Sequence, residues 1–83
     1  MMLSRVEIYE KLKIYLEEMF EVPPEKVSLE ARLYEDLDLD SIDAVDLVVR
    51  LQELTSRKFS PEEFKTVRTV GDVVDRVQAL LAA

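Results

Sequence analysis

Hydrophobic residues recur every three or four positions over much of the chain, which is the spacing of one face of an α-helix. The first such stretch follows Ser4 and Glu7, whose spacing is that of a capping box. The Val-Pro-Pro run at residues 22–24 cannot continue a helix. The pattern therefore predicts a first helix that ends near Phe20. Its apolar positions are Ile8, Leu12, Tyr15, Leu16 and Met19.

A second helix is predicted to begin at Asp40 and Asp43, which have the same three-residue spacing of capping side chains. Its apolar face is broad, as expected for a helix that packs on more than one side. The apolar positions of this helix are Ile42, Val45, Leu47, Val48, Val49, Leu51 and Leu54.

A short third helix is predicted from the next capping signal. Ser60 is a preferred N-cap residue, Pro61 stands at the first helical position and Glu63 at the third. Phe64 and Val67 are expected to point inward from this helix.

A fourth helix is predicted to start at Thr69, with Asp72 three residues later as its capping partner. Gly71 in its first turn lowers helix propensity, and we expect it to permit close packing there. The apolar stripe has regular helical spacing and consists of Val70, Val73, Val74, Val77, Leu80 and Leu81.

The connection between the first two helices, residues 21–39, is long for a loop. Its apolar positions predict that it packs on the helices, and residues 28–30 are expected to form a single turn. These positions are Val27, Leu29, Leu33, Leu37 and Leu39. The sequence thus predicts an all-α protein with one domain over residues 1–83. It is a small four-helix bundle with a long first connection and a short third helix.

Composition narrows the function. The 83-residue chain contains neither Cys nor His, so it lacks disulfides, thiolate metal sites and the usual general base. An enzyme of this content is not expected, and we predict no catalytic residue and no metal site. The longest apolar run, residues 79–83, is too short to span a bilayer, and no signal-peptide pattern is found. We expect a free-standing, monomeric, cytoplasmic protein.

Acidic side chains are concentrated in one segment. Residues 35–54 hold seven acidic residues and one arginine, whereas the rest of the chain holds eleven acidic and ten basic residues. The net charge of −7 argues against nucleic acid and anionic membranes as partners. A solvated helix face explains scattered charges well but explains this concentration poorly.

Three interpretations of the run EDLDLDSIDAVDL, residues 35–47, are open. A calcium loop starting at Asp36 has carboxylates at its first, third and fifth positions, but it has Ser41 in place of the required glycine and lacks the bidentate Glu at its end. Plain helix capping explains Asp40 and Asp43 but not the other acids. The third interpretation is a serine to which a group is attached.

The run DLDLDSIDAVDLVVRLQE resembles the modification site of acyl carrier proteins, in which Asp-Ser-Leu/Ile-Asp precedes an acidic, apolar-patterned helix. The predicted helix order and the long first connection also resemble that family. The resemblance implies that Ser41, next to Asp40, carries 4′-phosphopantetheine, attached by a separate transferase that uses coenzyme A. Acyl intermediates of fatty-acid- or polyketide-type synthesis would be carried on it as thioesters. The first position of a helix also favours a bound phosphate, because free amides and the helix dipole face it.

The same resemblance gives the acidic segment a role in docking. An acidic face would steer encounters with basic patches on the phosphopantetheinyl transferase and on acyl-transferring and ketosynthase-type enzymes. Ile42 is either a core residue or a partner contact, and we favour the contact. The implied docking residues are Asp36, Asp38, Asp40, Ile42, Asp43, Asp46 and Glu53.

An acyl pocket between the second, third and fourth helices is also implied by the resemblance, with ordinary core packing as the alternative. Phe64 stands where many relatives have a small residue, so we expect a narrow pocket or one suited to a flat conjugated chain. The candidate pocket residues are Val45, Val48, Leu51, Phe59, Phe64, Val67 and Val73.

The sequence departs from the family pattern at several positions. Asp38 stands at a usual glycine position, where Asp tolerates turn geometry better than most residues. Arg50 and Gln52 make the second half of the acidic helix less negative, and residues 57–68 are net positive, which suggests a specialised pathway with dedicated partners. A D-alanyl or peptidyl carrier and an unmodified acidic interaction domain remain as alternatives.

Overall fold

A computed structural model of the chain describes residues 3–58, 62 and 66–82. Three α-helices occur in these residues: α1 (Arg5–Phe20), α2 (Ser41–Thr55) and α3 (Val70–Ala82), with a turn of 3-10 helix at Pro24–Lys26. The prediction of an all-helical protein is confirmed. In the described ranges the one extended feature is an isolated antiparallel bridge between Arg32 and Thr69.

The helix predicted after Ser60 falls mostly outside the described residues, as do Phe59 and Phe64. Val67, expected to point inward from that helix, is described and is buried. The helix predicted to start at Thr69 corresponds to α3. None of the helices in the described ranges is long and apolar enough to cross a membrane.

Local capping chemistry starts the helices where the sequence predicted. The Ser4 hydroxyl accepts from the Glu7 amide and the Glu7 carboxylate accepts from the Ser4 amide, both over 3.1 Å. Thr69 and Asp72 form the same reciprocal pair at the start of α3, over 3.1 and 3.2 Å. Helix α1 ends at Phe20, and its C-cap residue Glu21 adopts the left-handed conformation and closes the last turn with its amide.

The core lies where the inner faces of the three helices meet. Helix α1 packs against both α2 and α3. The innermost side chains, at most 3% exposed, are Ile8, Leu12 and Leu16 from α1, Leu47, Val48 and Leu51 from α2, and Val70, Val73, Val74 and Val77 from α3.

The long connection packs on the bundle as predicted, with one exception. Its buried residues are Val22, Val27, Ala31, Leu33, Leu37 and Leu39. Leu29, predicted to pack inward, is 41% exposed because the turn at residues 28–31 carries its side chain to the surface. The backbone of residues 29–33 instead pairs with the start of α3: Leu33 donates to Arg68, Val70 to Ala31 and Gly71 to Leu29.

Candidate functional site

Ser41 is the first residue of α2, and its side chain is exposed. Asp40 is the N-cap residue. Its carboxylate accepts from the Asp43 amide over 2.9 Å, and the Asp43 carboxylate accepts from the Asp40 amide over 3.2 Å. The amides of Ser41 and Ile42 lie between those of Asp40 and Asp43. The geometry of an α-helix gives these first amides no acceptor within the helix. The serine hydroxyl therefore stands at the positive end of the α2 dipole, beside amides that suit a phosphate.

The turn before Ser41 depends on Asp38, which has a φ of 56°. This left-handed conformation favours glycine but is tolerated by Asp better than by most residues. Leu37 and Leu39 on either side are buried, and the Leu39 amide donates to the Leu33 carbonyl. The prediction that Asp38 would support the turn is confirmed, and the turn delivers Ser41 to the surface.

Asp36 is engaged locally rather than directed at Ser41. Its carboxylate accepts from the Arg32 amide over 2.8 Å and from the Arg32 Nε over 3.4 Å. These hydrogen bonds, the backbone one first, lower the pKa of Asp36 below its ordinary value of 3.8. Asp36 and Asp40 thus each close their own turn. Within the described ranges no three acidic side chains lie close enough together to hold a metal ion.

The outer face of α2 presents three large apolar side chains in a row. Ile42 is 70% exposed, Val45 42% and Val49 49%. Asp46 and Glu53 lie on the same face, because helical spacing places residues three and four apart side by side. We call these five residues the α2 outer face. The exposure expected of Ile42 is confirmed.

Helix α2 does not pack on as many sides as its broad apolar pattern suggested. Val49 was predicted to be part of the packed face, but it points to solvent, and so does Val45, a candidate for the acyl pocket. The reason is geometric, since Leu47, Val48 and Leu51 fill the core-facing side of the helix, and Val45 and Val49 lie on its exposed side. The spacing of hydrophobic residues in the sequence does not show which apolar residues of α2 face the core and which face solvent.

Arg50 turns away from the outer face and toward α1. Its guanidinium carbon lies 5.2 Å from the centroid of the Tyr15 ring, a cation–π distance. Its Nη1 is 3.6 Å from the Glu53 carboxylate. Arg50 therefore links α2 to α1 and offsets part of the charge of Glu53.

A small apolar cavity lies beneath the start of α2. Its free volume of about 20 Å³ has room for about one water molecule. Val48, Leu51, Val67 and Val73, all predicted pocket residues, line it, whereas Val45 does not. Tyr34, which sequence reasoning did not single out, also lines it and is 46% exposed. The other lining residues are Leu33, Leu39, Ala44 and Leu47.

Comparisons with known proteins place these features in a family. Residues 10–77 match the sequence profile described as "Phosphopantetheine attachment site". The chain is 56% identical over 81 residues to acyl carrier protein 2 of Ralstonia nicotianae, with 98% of this chain and 100% of the relative covered. It is 35% identical to the acyl carrier protein of Coprothermobacter proteolyticus, with 95% and 96% covered. It is 38% identical to that of Thermosynechococcus vestitus, with 98% and 100% covered.

Proposed function

The chain belongs to the phosphopantetheine-binding acyl carrier protein family, and from that premise we propose that Ser41 is the residue that carries the prosthetic group. The protein is a carrier and not an enzyme, and its cofactor is a covalently attached 4′-phosphopantetheine. The observation that supports Ser41 is its position. It is an exposed hydroxyl at the first residue of α2, within the sequence Asp-Ser-Ile-Asp.

The residues around Ser41 fit such a group. When bound, the group supplies a flexible arm with a terminal thiol, on which acyl cargo is held as a thioester. The amides of Ser41 and Ile42 are placed to face its phosphate. The carboxylates of Asp40 and Asp43 already accept hydrogen bonds across the first turn, so they hold the helix start rigid without competing for those amides.

The proposed docking surface combines charge and apolar contact. The α2 outer face supplies Ile42, Val45 and Val49 as contacts, and Asp46 and Glu53 as charges. We include the remaining predicted docking acids, which border it on the Ser41 side: Asp36, Asp38, Asp40 and Asp43. Basic patches on the phosphopantetheinyl transferase and on acyl-transferring and ketosynthase-type enzymes are the complementary partner chemistry.

The proposed acyl pocket is the cavity beneath α2. A cavity of about 20 Å³ is far smaller than an acyl chain. Entry of cargo therefore requires α2 to move away from Leu33 and Val73. Phe59 and Phe64 are proposed as further pocket residues on the basis of the sequence.

We also propose, from the sequence, a fourth helix, a cytoplasmic location and a role in a specialised pathway.

The experiment that tests the function measures intact mass after incubation with coenzyme A and a promiscuous phosphopantetheinyl transferase. We expect the parent protein to gain one phosphopantetheinyl group and Ser41→Ala to gain none. Ser28→Ala, the same change at an exposed serine of the long connection, serves as the matched control and is expected to be modified like the parent. Modification of Ser41→Ala, or an unmodified but folded parent, would contradict the assignment.

A further inference from the structure

A surface groove lies at the end of α2 that is far from Ser41. It has a volume of about 350 Å³, and the described residues that line it are Val49, Gln52, Glu53, Ser56, Arg57 and Lys58. Val49 and Glu53 belong both to this groove and to the α2 outer face. The groove therefore continues the proposed docking surface beyond the end of the helix.

The charge of this surface changes sign along its length. At the Ser41 end the exposed charges are acidic, including Asp38, Asp40 and Asp46. At the groove, Arg57 and Lys58 are both exposed and follow directly after Ser56, the C-cap residue of α2. Basic residues here offset the negative end of the helix dipole. Their place beside Val49 also makes them part of the surface that a partner would touch.

We propose that the α2 outer face and this groove form a docking surface whose two ends carry opposite charge. Such a surface accepts partner enzymes in only one orientation along α2. The partner presents basic residues to the Ser41 end, apolar residues to Ile42, Val45 and Val49, and acidic residues to Arg57 and Lys58. Helix α2 has 15 residues and is about 22 Å long, so the basic and acidic patches of the partner are separated by about that distance. This inference rests on the proposed carrier function.

One orientation of the partner along α2 is favoured because the reversed orientation would place like charges against each other. A uniformly acidic face would attract a basic patch in either direction along the helix. With Arg57 and Lys58 at one end, reversed docking brings like charges together at both ends of the surface, which disfavours it strongly. The correct direction keeps Ser41 next to the basic patch, which is expected to lie at the entrance of the partner's active site.

The test uses synthetic helical peptides as defined probes. One peptide carries Lys at one end, Leu along its middle and Glu at the other end, and a second has Lys in place of every Glu. Binding is measured from amide shifts of the labelled protein, for the parent, for Arg57→Glu/Lys58→Glu, and for Lys11→Glu/Lys13→Glu. The α1 pair is the matched control because it changes the net charge by the same amount.

We expect Arg57→Glu/Lys58→Glu to raise the dissociation constant of the two-signed peptide about fivefold to tenfold, the effect of losing two exposed ion pairs and replacing them with repulsion. The same variant should bind the all-Lys peptide more tightly, and the α1 control should change binding of the two-signed peptide less than about twofold. An unchanged dissociation constant, or shifts confined to the Ser41 end, would overturn the directional surface. The intact-mass assay separates this inference from the proposed carrier function. If Ser41 is modified but the peptide binding does not change, the directional surface is wrong and the carrier function stands.

Discussion

The Gly71 amide donates a 2.9 Å hydrogen bond to the Leu29 carbonyl, and a Cβ at position 71 would lie 3.0 Å from that same oxygen. The first turn of α3 and the turn at residues 28–31 are therefore in direct backbone contact. A backbone oxygen cannot rotate away as a flexible side chain can. The close packing expected of Gly71 is confirmed, and its partner is the long connection rather than another helix.

Gly71→Ala should consequently destabilise the protein, by about 1–2 kcal/mol in the free energy of unfolding. In an unobstructed helix the same change would stabilise by about 1 kcal/mol, so the sign of the effect tests the contact. Urea unfolding followed by circular dichroism measures it. A more stable variant would show that the connection is free to move off α3.

Asp38→Gly should stabilise the fold, because a φ of 56° costs any residue with a Cβ about 1 kcal/mol relative to glycine. We expect a gain of about 0.5–1 kcal/mol, since glycine also increases the entropy of the unfolded chain. Asp38→Asn is the control for charge, because it removes the same charge while keeping a Cβ. An equal gain in stability from Asp38→Asn would mean that the gain comes from removing charge repulsion with the neighbouring acidic residues and not from the backbone conformation. Thermal unfolding of the three proteins separates these outcomes.

Adjacent valines on α2 should behave differently. Val48 is 2% exposed and Val49 is 49% exposed. Val48→Ala is expected to cost about 2–3 kcal/mol of stability, whereas Val49→Ala should cost less than about 0.5 kcal/mol. Val49→Ala should instead raise the KM of the phosphopantetheinyl transferase without changing Tm. Equal losses of stability from the two substitutions would mean that the outer face is packed against something.

Much of this architecture follows from local chemistry in the sequence. The pairs Ser4–Glu7, Asp40–Asp43 and Thr69–Asp72 identify three helix starts, because a cap and its partner lie within one turn. The turn at Asp38 was predictable for the same reason, since it depends on the backbone preference of one residue.

Other features could not be predicted from the sequence, because they depend on distant parts of the chain. The apolar period of α2 does not reveal that Val45 and Val49 lie on the exposed side of the helix. The direction of Arg50 is set by Tyr15, which is 35 positions away on α1. Likewise, the continuation of the outer face into the groove at Arg57 and Lys58 follows from where α2 ends in space. The division between core and docking surface is therefore a tertiary property.

The acid stability of the fold should depend on Asp72. Its carboxylate accepts hydrogen bonds from the amides of Arg68 and Thr69, and these lower the pKa of Asp72 below its ordinary value of 3.8. The unfolded chain therefore binds a proton more readily at this position. The contribution of Asp72 is fully present above its ordinary pKa and is lost as pH falls through the lowered pKa of the folded state.

Asp72→Asn keeps an oxygen acceptor for the cap but cannot titrate. We expect it to retain most of the stability at pH 7 and to flatten the decline in stability below about pH 4. Glu7 and Asp36, whose pKa values are also lowered, continue to contribute to that decline. Urea unfolding from pH 2.5 to 7 measures the effect, with Asp46→Asn at an exposed aspartate of α2 as the control. If stability declined at low pH in Asp72→Asn as it does in the parent, the start of α3 would not depend on the ionised carboxylate of Asp72.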